Sequence, residues 1–190
     1  MALTIFTIGH SNHPVERFLG LLDGAGIKSV TDVRTAPASR RFPQFNKTRL
    51  TATLTAHGIG YTCAGDALGG RPKDEKLWRD NRPDYRKMIE TGAARTALGR
   101  MRAEATEKPL AMMCSEKEPL DCHRCLMVAR KLAADGAEVR HILADGVIEP
   151  QAATEDRLLA WANKRQPELF QSPAERLAAA YDARADWLWR

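Results

Sequence analysis

Leu110-Ala111-Met112-Met113-Cys114, followed at once by Ser115-Glu116-Lys117-Glu118-Pro119-Leu120-Asp121-Cys122-His123-Arg124-Cys125, is the stretch that decides the fold. Five apolar residues in a row, with no polar alternation, read as a strand buried on both faces, the mark of a parallel sheet covered by helices. The run stops in a polar loop, and Cys122 to Ala134 then reads as a helix closed by Asp135-Gly136. Strand, polar loop and helix in that order make most of a βαβ unit.

The same alternation recurs on both sides. Leu3 to Ile8 is an apolar, β-branched strand that ends in Gly9-His10-Ser11-Asn12, and the apolar residues of Met1 to Phe6 belong to it. Pro14 suits a first helical turn capped by Asn12 or His13, and Val15, Phe18, Leu19 and Leu22 form one helical stripe stopped by Gly24 and Gly26. Ile27 to Val33 is a second strand, Thr35 to Phe45 a loop rich in Pro and Arg, Thr48 to His57 a short helix, and Ile59 to Cys63 a third strand. Gly65 to Pro83 reads as a loop, Asp84 to Glu107 as helix broken at Thr91-Gly92, and Val139 to Leu143 as the fifth strand. Beyond Pro150, Thr154 to Lys164 and Pro173 to Trp189 are helices, expected to lay Trp161, Tyr181, Trp187 and Trp189 on the sheet or on a partner chain. The fold expected is α/β: a mostly parallel sheet of about five strands flanked by helices (residues 1–150), plus a C-terminal helical extension (residues 151–190).

The chain of 190 residues is long enough for one sizeable core, and 44% hydrophobic with 28% charged residues is the balance of a globular protein. No apolar run reaches the roughly 18 residues of a membrane span. The first residues lack the basic and long apolar regions of a signal peptide, so no membrane partner and a cytoplasmic location are expected. Four cysteines are too sparse for a disulfide scaffold, which points to reduced thiols. A net charge of +5 fits an anionic small molecule or nucleic acid as partner. Oligomeric state is not legible.

In an open parallel sheet, ligands bind outside the carboxyl ends of the strands. Here the strand ends carry His10 and Ser11, then Asp32 and Arg34, then Tyr61, Cys63 and Asp66, then Cys114, Ser115 and Glu116, then Asp145. A helix opening at Cys122-His123-Arg124 would offer free N–H groups and a positive dipole end, which favour anions and thiolates. Cys114 or Cys122 is then a candidate nucleophile or a holder of the site. Asp32, Glu116, His123 and His10 are acid/base candidates, and Ser11, Arg34, Ser39, Arg40, Tyr61 and Arg124 are candidates for binding substrate. Cys114 and Cys125 are alternatively small buried hydrophobes. The Cys122-x-x-Cys125 spacing also suits zinc, with Cys114, His123 or Cys63 completing a set, but a second matching pair is missing and no metal or cofactor is assigned. The phosphatase loop, with Arg six residues after its Cys, is excluded because position 120 is Leu. Between Lys28 and Arg49, six basic residues surround one acidic residue, Asp32, with Phe42 and Phe45 among them. Such a loop can hold phosphates and stack bases.

Several of these pieces in this order resemble the bacterial family of the domain of unknown function 488. They are Thr7-Ile8-Gly9-His10-Ser11, Thr31-Asp32-Val33-Arg34, Pro37-Ala38-Ser39-Arg40, Phe45-Asn46, Tyr61 with Leu68-Gly69-Gly70, and Met113-Cys114-Ser115-Glu116 followed by Cys122-His123-Arg124. The resemblance covers most of residues 4 to 145 and implies a compact α/β domain, without supplying a reaction. It does not extend to Cys63 or Cys125.

The leading expectation is an enzyme for an anionic substrate, nucleotide or nucleic-acid-derived molecules included, at a Cys/Glu/His/Arg/Asp site. One alternative is a non-catalytic nucleic-acid-binding or regulatory module using the basic loop 34–49, which predicts steeply salt-dependent binding. Another is a domain held by a structural metal on Cys and His.

Overall fold

The computed structural model describes residues 3–166 and 171–190. Met1 and Ala2, the lead-in to the first strand, lie outside them. In chain order the strands are β1 (Thr4–Gly9), β2 (Ser29–Asp32), β3 (Gly60–Cys63), β4 (Trp78–Arg79), β5 (Arg82–Pro83), β6 (Leu110–Cys114), β7 (Glu138–Ile142) and β8 (Ile148–Pro150). The helices are α1 (Val15–Gly24), α2 (Lys47–Ala56), α3 (Gly65–Leu68), α4 (Tyr85–Ile89), α5 (Gly92–Glu107), a π-helical stretch (Arg124–Ala129) that runs into α6 (Arg130–Ala134), α7 (Gln151–Trp161) and α8 (Pro173–Trp187).

Six strands form one sheet in the order β3-β2-β6-β1-β7-β8. The five strands legible in the sequence are its parallel members, and β8 adds an antiparallel edge on β7. The apolar run Leu110–Cys114 lies third in that order and is buried at all five positions. Its side chains alternate between two cores. Ala111 and Met113 join Phe18, Leu22, Leu50 and Leu54 of α1 and α2 on one face. Leu110, Met112 and Cys114 join Leu98 and Met101 of α5, Leu126 and Val128, and Tyr181 of α8 on the other. A fully buried Leu, Ile or Met side chain contributes about 1.5–3 kcal/mol, so a strand packed on both faces is the natural centre of the domain.

Three local readings are corrected. The segment Gly65 to Pro83 is not all loop: it holds α3 and the β4–β5 hairpin. Neither Asn12 nor His13 caps α1, which follows Pro14 without a side-chain cap. The helix expected from Cys122 begins with π geometry over Arg124–Ala129.

The C-terminal helices dock through a buried polar chain. Thr7 Oγ1 donates to His141 Nδ1 (2.7 Å), and His141 Nε2 donates to Gln151 Oε1 (2.7 Å). Gln151 in turn donates to the Tyr181 hydroxyl, and Tyr181 donates to Glu155 (2.8 Å). The chain thereby links β1, β7, α7 and α8. Burial holds His141 neutral, with its pKa lowered from 6.5 to about 4.

Since the unfolded chain takes up that proton near 6.5 and the folded chain near 4, the contribution of neutral His141 is complete above pH 6.5 and is lost as pH falls from there toward 4. Urea unfolding of the wild type should therefore lose on the order of 2–3 kcal/mol more between pH 7 and 4.5 than His141→Gln does. Equal losses in the two proteins would refute the assignment.

Candidate functional site

The ends of β1, β2 and β6 bring Gly9, Asp32 and Cys114 to one edge of the sheet, and the loops that follow them build a cleft with two lobes. The first lobe, about 440 Å³, is lined by Arg34, Gly70, Arg71, Tyr85, Cys114, Glu116, Cys122, His123 and Trp189, among others. The second, about 540 Å³, is lined by His10, Ser11, Ser39, Arg41, Phe42 and Lys117. Arg34, Ala36, Ser115 and Glu116 line both.

At the floor of the first lobe, Glu116 Oε2 lies 3.0 Å from Cys114 Sγ and 2.9 Å from Cys122 Sγ. His123 Nδ1 lies 3.8 and 3.9 Å from the same two sulfurs. The other ring nitrogen, Nε2, donates to the Val33 carbonyl (2.9 Å), which leaves the Nδ1 lone pair turned toward sulfur. Gly70 packs on this ring, where an added Cβ would come within 2.7 Å of it. The backbone N–H of Arg124 reaches Cys122 Sγ (3.4 Å), as expected where a helix opens on a sulfur.

The titration of these groups is mutual. Burial pushes the Cys114 thiol well up, and its neighbour Cys122 pushes it further. Burial also opposes a Cys122 thiolate, but neighbouring Cys114 and the charge of Arg124 outweigh it and hold Cys122 well down. Burial and the Cys122 charge raise Glu116. In His123 the Cys122 charge outweighs burial, so its pKa rises. A carboxylate and a thiolate cannot both be bare at 2.9 Å, so Cys122 and Glu116 share one proton.

Arg124 does not line either lobe. It is fully buried beneath the loop, donating from Nη1 to Glu116 O (2.6 Å) and from Nη2 to Lys117 O (3.1 Å). Its role is to hold the loop that carries Glu116. Above the same loop Gly9 leaves no room: an added Cβ would fall 1.9 Å from Glu116 O.

Arg34 and Asp32 form a buried pair, Nη2 to Oδ2 at 2.6 Å, with Nε also on the carboxylate. Arg34 Nη2 donates to Phe45 O (2.8 Å) and Nη1 to His10 Nε2 (3.1 Å). Of its five N–H donors, one on Nη1 is left for the cleft. Tyr61 donates to Asp32 Oδ2 (2.7 Å), so Asp32 and Tyr61 serve as anchors of Arg34 rather than as cleft walls. His10 donates from Nδ1 to Ser11 O (2.8 Å) and stacks on Phe45 at 4.3 Å. Burial and Arg34 lower its pKa to about 4, so it is neutral. Ser11 has a left-handed backbone, φ 49°, unusual for a residue with a side chain.

Other sequence candidates disperse. Arg40 is exposed and lines neither lobe. Asp66 pairs with Lys73 on the surface, and Asp145 accepts from Val147 N–H in the β7–β8 turn. Cys63 is exposed on the edge strand, and Cys125 is buried in the core. Gly70, Arg71, Tyr85 and Trp189 are cleft residues that were not singled out from the sequence. Gly70 carried a signal in Leu68-Gly69-Gly70, whereas Trp189 carried none, being read only as apolar surface.

The profile of the family described as "Domain of unknown function DUF488" matches residues 14–131. The chain belongs to the DUF488 family. No curated protein and no solved structure matches it. In this DUF488 chain the sulfur centre, Arg34 and the whole of β6 fall within the matched residues, while His10, Ser11 and Trp189 fall outside them. Among the described residues no helix is long and apolar enough to cross a membrane.

Gly9→Ala should displace the Ser115–Lys117 loop and lower stability by about 1–3 kcal/mol. Urea unfolding checks this, and a variant as stable as the wild type would contradict the packing described.

Proposed function

We propose that this chain is an enzyme acting on an anionic substrate, with nucleotides and nucleic-acid-derived molecules the first class to test. The observation that carries the reading is the free N–H of Arg34 at the wall shared by two lobes, beside a buried centre of two sulfurs, a carboxyl group and an imidazole. Arg34 is held on three sides and needs no rearrangement to meet an anion, the preorganisation that electrostatic catalysis requires. Arg71, exposed and lining the first lobe, supplies a second charge. Glu116, in contact with both sulfurs, is the acid/base group at the reacting centre, and His10, Ser11 and Ser39 of the second lobe meet the remainder of the substrate.

The reading as a nucleic-acid module is less well supported. Phe45 is fully buried and Phe42 is half-buried beneath Arg41, whose guanidinium lies 5.4 Å above its ring. Phe45 offers no stacking face, and Arg41 covers one face of Phe42.

Turnover across a panel of phosphorylated and carboxylated metabolites, nucleotides and short oligonucleotides tests the proposal. Glu116→Gln should lower kcat about 100-fold or more, and Arg71→Ala should raise KM about tenfold, the equivalent of one charge-assisted hydrogen bond. Unchanged kinetics in both variants on whatever substrate the panel reveals, or a panel in which no anion binds, would end it.

A further inference from the structure

We infer that Cys114, Cys122 and His123 bind a zinc-class divalent cation, with the fourth position open to the cleft and Glu116 beside it. The inference stands on donor geometry alone and holds whether or not the cleft turns over an anion.

The three donor atoms, two Sγ and Nδ1, all lie within 4.8 Å of one another, and the two sulfur–nitrogen separations are 3.8 and 3.9 Å. A tetrahedral zinc ion, with bonds of about 2.3 Å to sulfur and 2.0–2.1 Å to nitrogen, sets sulfur and nitrogen about 3.5 Å apart. Both sulfur–nitrogen separations therefore stand a few tenths of an ångström outside a zinc tetrahedron, close enough to contract onto the ion. Among the described residues Nδ1 has no hydrogen-bond partner but the two sulfurs, and at those distances it makes no strong hydrogen bond.

The surroundings are those of a ligand set. Metal-bound histidines donate their other ring N–H to a carbonyl or carboxylate, which fixes the tautomer and aims the ring. His123 makes that bond to Val33 O at 2.9 Å, and Gly70 closes over the ring face. The donors come from rigid places: Cys114 ends β6, and Cys122 and His123 stand just before the π-helical stretch, a departure from α geometry that is frequent at functional sites. Glu116 Oε2 touches both sulfurs, 3.0 and 2.9 Å away, and so stands beside the open fourth corner.

The donor chemistry selects the ion. Two sulfurs and an imidazole favour zinc over magnesium or calcium, which seek oxygen. Charge also balances. Two thiolates and a carboxylate carry three negative charges, the cation two positive, and the remaining negative charge faces the buried Arg124 guanidinium; the two thiol protons leave to water on binding. This set differs from the Cys122-x-x-Cys125 pair that spacing suggests, because Cys125 lies in the core away from the cleft. With three protein donors and a fourth place open to the cleft, the arrangement is that of a catalytic zinc site rather than a closed structural one.

The full-length chain, reduced and stripped with a chelator, is titrated with Zn2+ and separately with Co2+, and metal content is read by elemental analysis. The expected result is one equivalent of zinc per chain, and with cobalt the intense visible bands of a tetrahedral ion plus a thiolate-to-metal charge-transfer band. Cys114→Ser and His123→Gln should each weaken zinc binding by at least about 100-fold, while Cys63→Ser leaves it unchanged. Circular dichroism confirms that each variant is folded, and the wild-type cobalt spectrum decides the matter if one is not. A folded, reduced wild type that takes up no zinc, a cobalt complex without the charge-transfer band, or binding unaltered in both ligand variants would overturn the inference.

Discussion

A guanidinium buried without a carboxylate partner is the constraint from which the rest of the site follows. Taking such a charge out of water costs several kcal/mol even after relaxation. Arg124 is fully buried, and among the described residues its Nε has no partner and its Nη groups reach two backbone carbonyls. The sulfur centre beside it favours that charge: burial lowers the Arg124 pKa, and Cys122 and Cys114 act against burial. The dependence is mutual, since Arg124 is also among the groups that hold Cys122 low. Removing either side leaves an unpaired buried charge, so the core under the cleft and the chemistry in it are one electrostatic unit.

The second buried arginine meets the same constraint differently, and the difference assigns the roles. Arg34 is neutralised locally by Asp32, which frees the rest of its guanidinium for His10, Phe45 O and the cleft. Arg124 spends its donors on carbonyls inside the protein. One cation thus lines the cleft and the other is turned inward as a support, though both follow parallel strands.

Much of this was legible in the sequence because the governing signals are local. An unbroken apolar run such as Leu110–Cys114 has few other homes than a strand covered on both faces, and five strands of that kind leave little choice of architecture. The rule that strand ends meet at one edge then gathers His10, Asp32, Arg34, Cys114 and Glu116. What escaped is what depends on the third dimension. Nothing local distinguishes Arg34 from Arg124, or shows that Asp32 and Tyr61 face the first arginine and not the cleft. The spacing of Cys122 and Cys125 points to a pair, yet the turn of the chain sends one sulfur to Cys114 and the other into the core. The hairpin β4–β5 was lost because two-residue strands carry no periodicity.

Trp189 shows where the family pattern stops deciding function. It lies beyond the residues that match the DUF488 profile, yet it lines the first lobe, packs edge-on against Trp78 at 5.8 Å, and sits beneath Arg71, whose guanidinium is 5.3 Å from its ring. Its indole N–H reaches toward the Tyr85 hydroxyl at 3.5 Å. That part of the lobe is therefore built by residues from separate parts of the chain, and the His141–Gln151–Tyr181 chain is among the contacts that fix the C-terminal helices on the sheet, together with Arg184 on Leu120 O and Asp121. The sulfur centre and Arg34 belong to the matched segment, but the shape that decides what fits above them is set in part by the C-terminal helix. Under the proposed function, selectivity for one anion over another would depend on how that helix is docked, and it could change while every residue of the centre stays the same.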